Sequence, residues 1–170
     1  SQGEPIDTTC LDIGGRLLRF DKSGLVEYIS PKLADICKEV NINIENGKKY
    51  PDEVIRKICR YMAEILLEVS GVRPSSRLLE LTLSPKSTAL RLDYKIDRVS
   101  FTGGVADYIY NNQAEADLYK FGDIGILLGY EIKAILNEFA SKVIMPEETI
   151  MATVVGAGTQ TMDISGSTIS

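Results

Sequence analysis

Two adjacent glycines follow an apolar segment and precede a helix-like pattern, which gives the order strand, tight turn, helix. The segment runs from Ile96 to Tyr110, and the glycines are Gly103 and Gly104. Because glycine has no side chain, a ligand can approach the peptide groups of such a turn closely. This order is typical of a nucleotide site. A glycine turn that only packs a helix on a strand is an equally good interpretation.

The acid that follows the glycine pair bears on which part of a nucleotide would lie there. Asp107 falls in the first turn of the predicted helix, where its negative charge would repel a phosphate group. Adenine or ribose fits better, because a carboxylate can accept a hydrogen bond from a sugar hydroxyl. The candidate nucleotide site is therefore Gly103, Gly104, Val105 and Asp107. The alternative is that Asp107 only stabilises the start of the helix.

The composition indicates one domain, or one two-part lobe, with an acidic surface. The chain has 170 residues, of which 44% are hydrophobic, and this is enough to bury a substantial core. A net charge of -5 without a basic block argues against nucleic acid or an anionic membrane as a partner. No apolar run reaches the length of a membrane span and no signal-peptide pattern is present, so we expect a cytoplasmic protein.

The cysteine and histidine content narrows the possible chemistry. Cys10, Cys37 and Cys59 are odd in number and widely spaced, which predicts reduced core thiols rather than disulfides or zinc ligands. Histidine is absent, which excludes every Ser-His or Cys-His nucleophile. We therefore predict no catalytic residue and no metal ligand in this chain.

Three further helices are predicted, besides the one that follows the glycine pair. The first is capped by Ser30 and begins at Pro31, and the second runs from Pro51 to Gly71. The third occupies Ile124 to Phe139, and Asp123 is interpreted as its cap rather than as a catalytic acid. The predicted core positions of the three helices are Leu33, Ile36, Cys37 and Val40; Val54, Ile58, Met62, Ile65, Leu66 and Val69; and Leu127, Leu128, Ile135 and Phe139. The charged face of the second helix is Glu53, Arg56, Lys57, Arg60, Glu64 and Glu68.

The remaining apolar segments alternate with turn residues and are predicted to be strands. They are two short segments between Pro5 and Phe20, then Leu25 to Ile29, Leu78 to Leu83, Ala89 to Leu92, the strand before Gly103, Thr149 to Val155, and Met162 to Ile164. The glycines of Gly156 to Gly158 are a weak dinucleotide signal and are better explained by a hairpin or bulge. Together the elements predict a mixed α/β fold.

Four segments, in order along nearly the whole chain, resemble one known family. They are T-T-C-L-D-I-G-G-R-L-L-R-F (Thr8 to Phe20), V-S-F-T-G-G-V-A-D-Y-I-Y (Val99 to Tyr110), F-G-D-I-G-I-L-L-G (Phe121 to Gly129) and A-T-V-V-G-A-G-T-Q-T-M-D-I-S-G-S-T-I (Ala152 to Ile169). The chain resembles the C-terminal part of the ethanolamine utilization protein A family, the reactivating factors of ethanolamine ammonia-lyase.

This resemblance implies a lobe of an actin/Hsp70-like (ribonuclease H-like) ATPase, with a mixed sheet and flanking helices. It also implies an ATP-dependent chaperone that removes inactivated cobalamin from ethanolamine ammonia-lyase so that intact adenosylcobalamin can enter. The lyase would be the partner, ATP with Mg the cofactor of the whole protein, and adenosylcobalamin the cofactor of the lyase. The location would be the cytoplasm, and an association with a bacterial microcompartment is the alternative within it.

The same resemblance implies a division of labour between this chain and the residues before it. In the superfamily a glycine pair after a strand contacts adenosine, which corresponds to Gly103 and Gly104. Residues 12–15 resemble the I-G-G-R hairpin of the family and lack the third glycine and threonine of a phosphate loop. We therefore expect residues 1–170 to be an excised C-terminal lobe that does not hydrolyse ATP alone. A non-catalytic interaction module and a Rossmann-like dinucleotide enzyme are the alternatives, the second disfavoured by the missing G-x-G-x-x-G.

Overall fold

The computed structural model describes residues 6–111, 114–139 and 161–166. In chain order its elements are a 3-10 turn (Gly15–Leu17), β1 (Leu18–Phe20), β2 (Val26–Ile29), α1 (Pro31–Glu39), α2 (Asp52–Val69), α3 (Arg77–Thr82), β3 (Arg98–Gly103), α4 (Ala106–Tyr110), α5 (Gly125–Ala134), a second 3-10 turn (Leu136–Phe139) and β4 (Thr161–Gly166). The predicted strand at Thr149 to Val155 and the glycines at Gly156 to Gly158 lie outside the described residues.

The first sheet is an antiparallel hairpin made by β1 and β2. Its turn is held by the Asp21 carboxylate, which accepts hydrogen bonds from the backbone N–H groups of Ser23 at 2.8 Å and Leu25 at 3.0 Å. Gly24 has a φ of 86°, a left-handed conformation that favours glycine. The predicted turn and second strand are confirmed. Of the two strand segments predicted before residue 20, the structure forms one, as β1.

The predicted start of α1 is confirmed atom by atom. The Ser30 hydroxyl accepts a hydrogen bond from the Leu33 N–H at 3.0 Å, and Pro31 occupies the first helical position. Leu33, Ile36 and Cys37 are buried, as the helical spacing predicts.

The long helix α2 forms the centre of the core. Five of its six predicted core positions are buried, and Val54 is half-buried. Glu68 was expected on the solvated face, and this prediction is wrong, because its side chain is buried. The chain reverses after Gly71, and the Glu68 carboxylate accepts a hydrogen bond from the Ser76 N–H at 2.5 Å. A buried carboxylate that receives a backbone donor offsets part of its desolvation cost.

The strand predicted at Leu78 to Leu83 is wrong, since the helix α3 occupies the segment up to Thr82 and Leu83 follows it in an isolated bridge with Leu11. The Ser76 hydroxyl accepts a hydrogen bond from the Leu78 N–H at 3.2 Å and caps the helix. At the other end, the Lys32 ammonium group donates to the carbonyl groups of Leu81 and Leu83, at 3.1 and 3.3 Å. Capping groups at both ends therefore favour a helix over an apolar strand.

The strand predicted at Ala89 to Leu92 is also absent, and the segment has no regular structure. Leu92 has a φ of 56°, which is incompatible with an extended strand. The segment is instead fixed by side chains, because the Asp7 carboxylate accepts hydrogen bonds from the Arg91 N–H at 2.7 Å and the Tyr94 hydroxyl at 2.8 Å. Side-chain contacts replace sheet pairing here.

The second sheet is a parallel pair of β3 and β4, in register from Arg98 opposite Thr161 to Gly103 opposite Gly166. The mixed α/β class is confirmed. Among the described residues, however, the strands form two small sheets of two strands each rather than one mixed sheet. The short hairpin strands hydrogen-bond to each other, and α2 and α5 pack against each other in a core that also contains residues of the hairpin and of β3.

The third helix is shorter than predicted, since α5 ends at Ala134 and a 3-10 turn continues to Phe139. Leu127, Leu128, Ile135 and Phe139 are all buried, so the predicted core face is confirmed. Among residues 6–111, 114–139 and 161–166, no helix combines the length and apolar character needed to cross a membrane.

The cysteines are free thiols, and two of the three are buried as predicted. Burial raises the pKa of the Cys37 thiol to about 11 and also raises the pKa of the Cys59 thiol, so both stay protonated at neutral pH. Cys10 is exposed, and the interpretation of it as a core thiol is wrong. It lies in the N-terminal segment, beside the Ser84 hydroxyl at 3.3 Å.

Candidate functional site

The predicted order of strand, glycine turn and helix is confirmed at the end of β3. The strand ends at Gly103, whose φ of 97° is left-handed, and α4 begins at Ala106. Gly103 and Gly104 are exposed, and Val105 is half-buried at the N-cap position of α4. The turn therefore presents backbone groups without side chains to the solvent, as close approach by a ligand requires.

The carboxyl group of Asp107 is available to a ligand. Asp107 is exposed and lies in the first turn of α4, as predicted. Its side chain makes no hydrogen bond or ion pair with the part of the chain that the structure describes. The four candidate residues thus lie on one short segment, with two peptide groups that carry no side chain and one exposed carboxylate. This set suits a neutral, hydroxyl-bearing group such as ribose better than a phosphate.

Tyr110 anchors α4 to the strand that precedes the turn. Its hydroxyl accepts a hydrogen bond from the Phe101 N–H at 2.8 Å, and its ring packs edge-on against the Phe101 ring at 6.2 Å. Burial raises the pKa of the Tyr110 hydroxyl, which keeps the phenol neutral. Ala106 and Ile109 point into the core. These contacts fix the helix relative to β3.

A glycine of α5 provides the second contact with α4. A Cβ atom at Gly129 would lie 2.6 Å from the Cβ of Tyr108 and 3.2 Å from the carbonyl oxygen of Val105. Such distances are far below ordinary carbon contacts of about 3.5 to 4.0 Å. The two helices therefore touch through the backbone of α5. Sequence reasoning missed this role of Gly129, although a glycine inside an apolar helix pattern signals close packing.

The beginning of α5 is fixed against the segment that contains Gly15. A Cβ atom at Gly15 would lie 2.6 Å from the Cα of Gly125. Asp123 is buried, and its carboxylate accepts a hydrogen bond from the Gly125 N–H at 2.9 Å and pairs with the Arg16 guanidinium at 3.2 Å. The N-cap residue of α5 is Ile124, so Asp123 is not the cap itself, but it lies one residue earlier and its carboxylate accepts the N–H of the first helical residue.

Three aromatic rings, one on α4, one on α5 and one in the segment between the two helices, contact one another. Tyr108 contacts Phe121 and Tyr130 edge-on, with centroid distances of 6.3 and 6.1 Å. The Phe121 side chain is 53% exposed. Sequence reasoning missed this group, because its members are distant along the chain and no periodic pattern connects them. Within the described residues, no group of three or more His, Cys, Asp or Glu side chains could hold a metal ion.

The comparisons with known proteins agree on one family. The family model of ethanolamine utilisation protein EutA matches residues 1–170. The ethanolamine ammonia-lyase reactivase EutA of Salmonella typhimurium is 33% identical over 168 residues, which are 98% of this chain and 35% of the relative. The protein of the same name from Escherichia coli is 32% identical over 173 residues, with the same coverage.

The chain spans 35% of the length of these curated relatives. No solved structure matches it. Because the family model covers every residue and the identity to the curated relatives extends over nearly the whole chain, the chain belongs to the ethanolamine utilisation protein EutA family.

Proposed function

We propose that this chain is the nucleotide-binding and partner-contacting lobe of an ATP-dependent reactivating chaperone for ethanolamine ammonia-lyase. The observation that carries the proposal is the 33% identity to a reactivase over 98% of the chain. The lobe would be the C-terminal part of an actin/Hsp70-like ATPase domain, and the phosphate loops would belong to the N-terminal lobe of the longer protein. The complex would act in ethanolamine utilisation, in the cytoplasm or at a microcompartment.

The geometry of the glycine turn supports an adenosine contact at this lobe. Gly103 and Gly104 expose their peptide groups, and Asp107 offers an exposed carboxylate a few residues further on. A ribose hydroxyl is a suitable donor for that carboxylate, whereas the phosphates with their Mg ion would need cationic or hydroxyl side chains from elsewhere. ATP would thus be shared between two lobes, with this lobe holding the nucleoside end.

Reactivation requires the nucleotide to favour one of two states of the complex with the lyase. A ligand shifts such an equilibrium only by its difference in affinity for the two states. A nucleotide that contacts both lobes would make more contacts in the state in which the two lobes lie closer together, and it would therefore favour that state. ATP binding and its loss could then drive the release of damaged cobalamin and the entry of intact adenosylcobalamin, with the radical chemistry left to the lyase.

The function is tested with the longer protein that contains this chain, inactivated ethanolamine ammonia-lyase, ATP with Mg and fresh adenosylcobalamin. We expect lyase activity to return only when reactivase, nucleotide and fresh cofactor are all present. Omission of ATP is the matched control. Absence of recovery in the complete mixture would remove the proposed function. Recovery without nucleotide would favour the alternative of a non-catalytic interaction module whose glycine turns are structural.

At the residue level, Gly104→Val in the longer protein is expected to weaken adenosine nucleotide binding by roughly ten-fold or more. A β-branched side chain would occupy the surface that the ligand approaches and would restrict the turn backbone. Asp107→Ala is expected to cost about 1 to 3 kcal/mol of binding through the loss of a charge-assisted hydrogen bond. Calorimetric titration with ATP measures both effects.

Two controls separate binding from stability in that experiment. Asp35→Ala removes an exposed acid from α1 and should leave nucleotide affinity unchanged. Melting curves on the same samples should show that Asp107→Ala changes stability little. If Asp107 only stabilises the helix start, stability should fall by up to about 1 kcal/mol while affinity is kept. Unchanged affinity in Gly104→Val would overturn the adenosine-site assignment.

A further inference from the structure

The contact between α4 and α5 fixes more than the packing of two helices. Gly129 is buried in the middle of α5, where a Cβ atom would lie 2.6 Å from the Tyr108 Cβ, 3.3 Å from the Tyr108 carbonyl carbon and 3.2 Å from the Val105 carbonyl oxygen. Two of these three atoms belong to the backbone of the α4 segment. The third is the Tyr108 Cβ, whose position is set by the backbone, so a rotamer change of Tyr108 relieves none of the three contacts.

Any side chain at Gly129 must consequently move α4 away from α5. Restoring an ordinary carbon–carbon separation requires a shift on the order of 1 Å. Val105 directly follows Gly104, and its carbonyl accepts the Tyr108 N–H at 3.0 Å in the first turn of α4. A displacement of Val105 is therefore passed to the glycine turn through one peptide bond. Because α4 has only five residues, it has little length over which to absorb the shift, and the shift therefore reaches the turn.

A glycine at this helical position is otherwise unfavourable. Alanine has a much higher helix propensity than glycine, and α5 is an apolar, buried helix in which a methyl group would normally be accommodated. The close approach of the α4 backbone is the structural feature that requires glycine here. The helix thus gives up intrinsic stability in exchange for a defined position of α4.

From these contacts we infer that Gly129 is a positioning residue for the nucleotide site, acting through α4 on the turn of Gly103 and Gly104. This inference rests on the proposed function, since it assumes that the turn contacts an adenosine nucleotide. Gly129 itself touches no ligand in this arrangement. Its role is to let Val105 lie against α5, so that the peptide groups of the turn are held in one place before the nucleotide arrives.

The test is Gly129→Ala in the longer protein, with calorimetric titration of ATP and a melting curve on each sample. Gly15→Ala is the matched control. It creates an equally short contact, 2.6 Å to the Gly125 Cα, one turn earlier in α5 and with the segment that precedes β1 rather than with α4. We expect both variants to melt at lower temperature. Measured well below both melting temperatures, Gly129→Ala should bind ATP roughly ten-fold more weakly, and Gly15→Ala should bind like the wild type.

Each other outcome decides against part of the scheme. Equal losses of affinity in the two variants would mean that Gly129 acts only through general stability, and unchanged affinity in Gly129→Ala would also overturn the inference. In both cases the nucleotide site itself would stand. Failure of the wild-type protein to bind ATP would instead overturn the proposed function, and the inference with it.

A second variant covers the case in which Gly129→Ala does not fold. Tyr110→Phe removes only the hydroxyl that accepts the Phe101 N–H and so loosens the other anchor of α4 without a new contact. If the position of α4 sets the turn, ATP affinity should fall by roughly three-fold or more in this variant. Wild-type affinity in Tyr110→Phe would overturn the inference.

Discussion

Replacing Phe139 with alanine is expected to lower the free energy of unfolding by about 3 to 5 kcal/mol, the largest effect expected of any single change considered for this chain. The Phe139 side chain is 1% exposed and packs edge-on against Phe101 of β3, with a centroid distance of 6.0 Å. The substitution removes a whole ring from a region where neighbouring side chains cannot collapse fully. Urea denaturation followed by circular dichroism measures the loss.

Phe121→Ala is the matched control for this experiment, because the same atoms are removed from a side chain that is 53% exposed. Its expected cost is below about 1 kcal/mol, since most of that ring gains little from burial. If the two variants lose similar stability, the placement of Phe139 in the core is wrong.

The second large effect is expected for Asp123→Ala, at about 2 to 3 kcal/mol. The buried carboxylate makes two charge-assisted contacts, with the Gly125 N–H and with the Arg16 guanidinium, and both are lost together. The Gly125 N–H would then lack its acceptor, while Arg16 would lose its ionic partner. Chemical denaturation of the variant measures the cost.

Two comparisons refine the result for Asp123. Asp123→Asn keeps an acceptor for the Gly125 N–H, but it places a neutral amide in front of the Arg16 guanidinium. Its loss of stability should therefore be smaller than that of the alanine variant. Asp107→Ala makes the same substitution at an exposed acid in the first turn of α4 and should cost less than about 1 kcal/mol. A cost below about 0.5 kcal/mol for Asp123→Ala would be typical of an ordinary surface substitution and would contradict the structural role of this carboxylate.

Local signals in the sequence were sufficient wherever a nearby residue decides the conformation. Ser30 before Pro31, the glycine of the first hairpin turn, and the glycine pair after β3 all act within a few residues of their position. Helical periodicity likewise identified the core faces of α1, α2 and α5. The order of strand, turn and helix around the candidate site was predictable for the same reason, since it is one continuous segment.

The errors occurred where distant residues decide. The segment at 78–83 is apolar enough for a strand, but most of it is helical, and the distant Lys32 binds carbonyl groups at the end of that helix. The cap at Ser76 is a local signal that the strand prediction overlooked. Glu68 is buried because the chain returns over it and Ser76 donates to its carboxylate. The contact between Gly129 and α4 joins segments about twenty residues apart, and a glycine inside an apolar helix indicates close packing without identifying the partner. Long-range contacts of this kind are invisible to propensity and periodicity.

The parallel pairing of β3 with β4 has a consequence for the order in which the protein folds. Ser100 of β3 hydrogen-bonds to Asp163 of β4 across 63 residues of chain, so this sheet closes a long loop. Contacts at such separation form late, because the entropy of loop closure is lost before any pairing energy is gained. During synthesis β3 cannot pair until β4 has been translated, whereas the hairpin and α1 consist of neighbouring residues and need no later segment. The strand that leads into the glycine turn is therefore among the last parts to be secured.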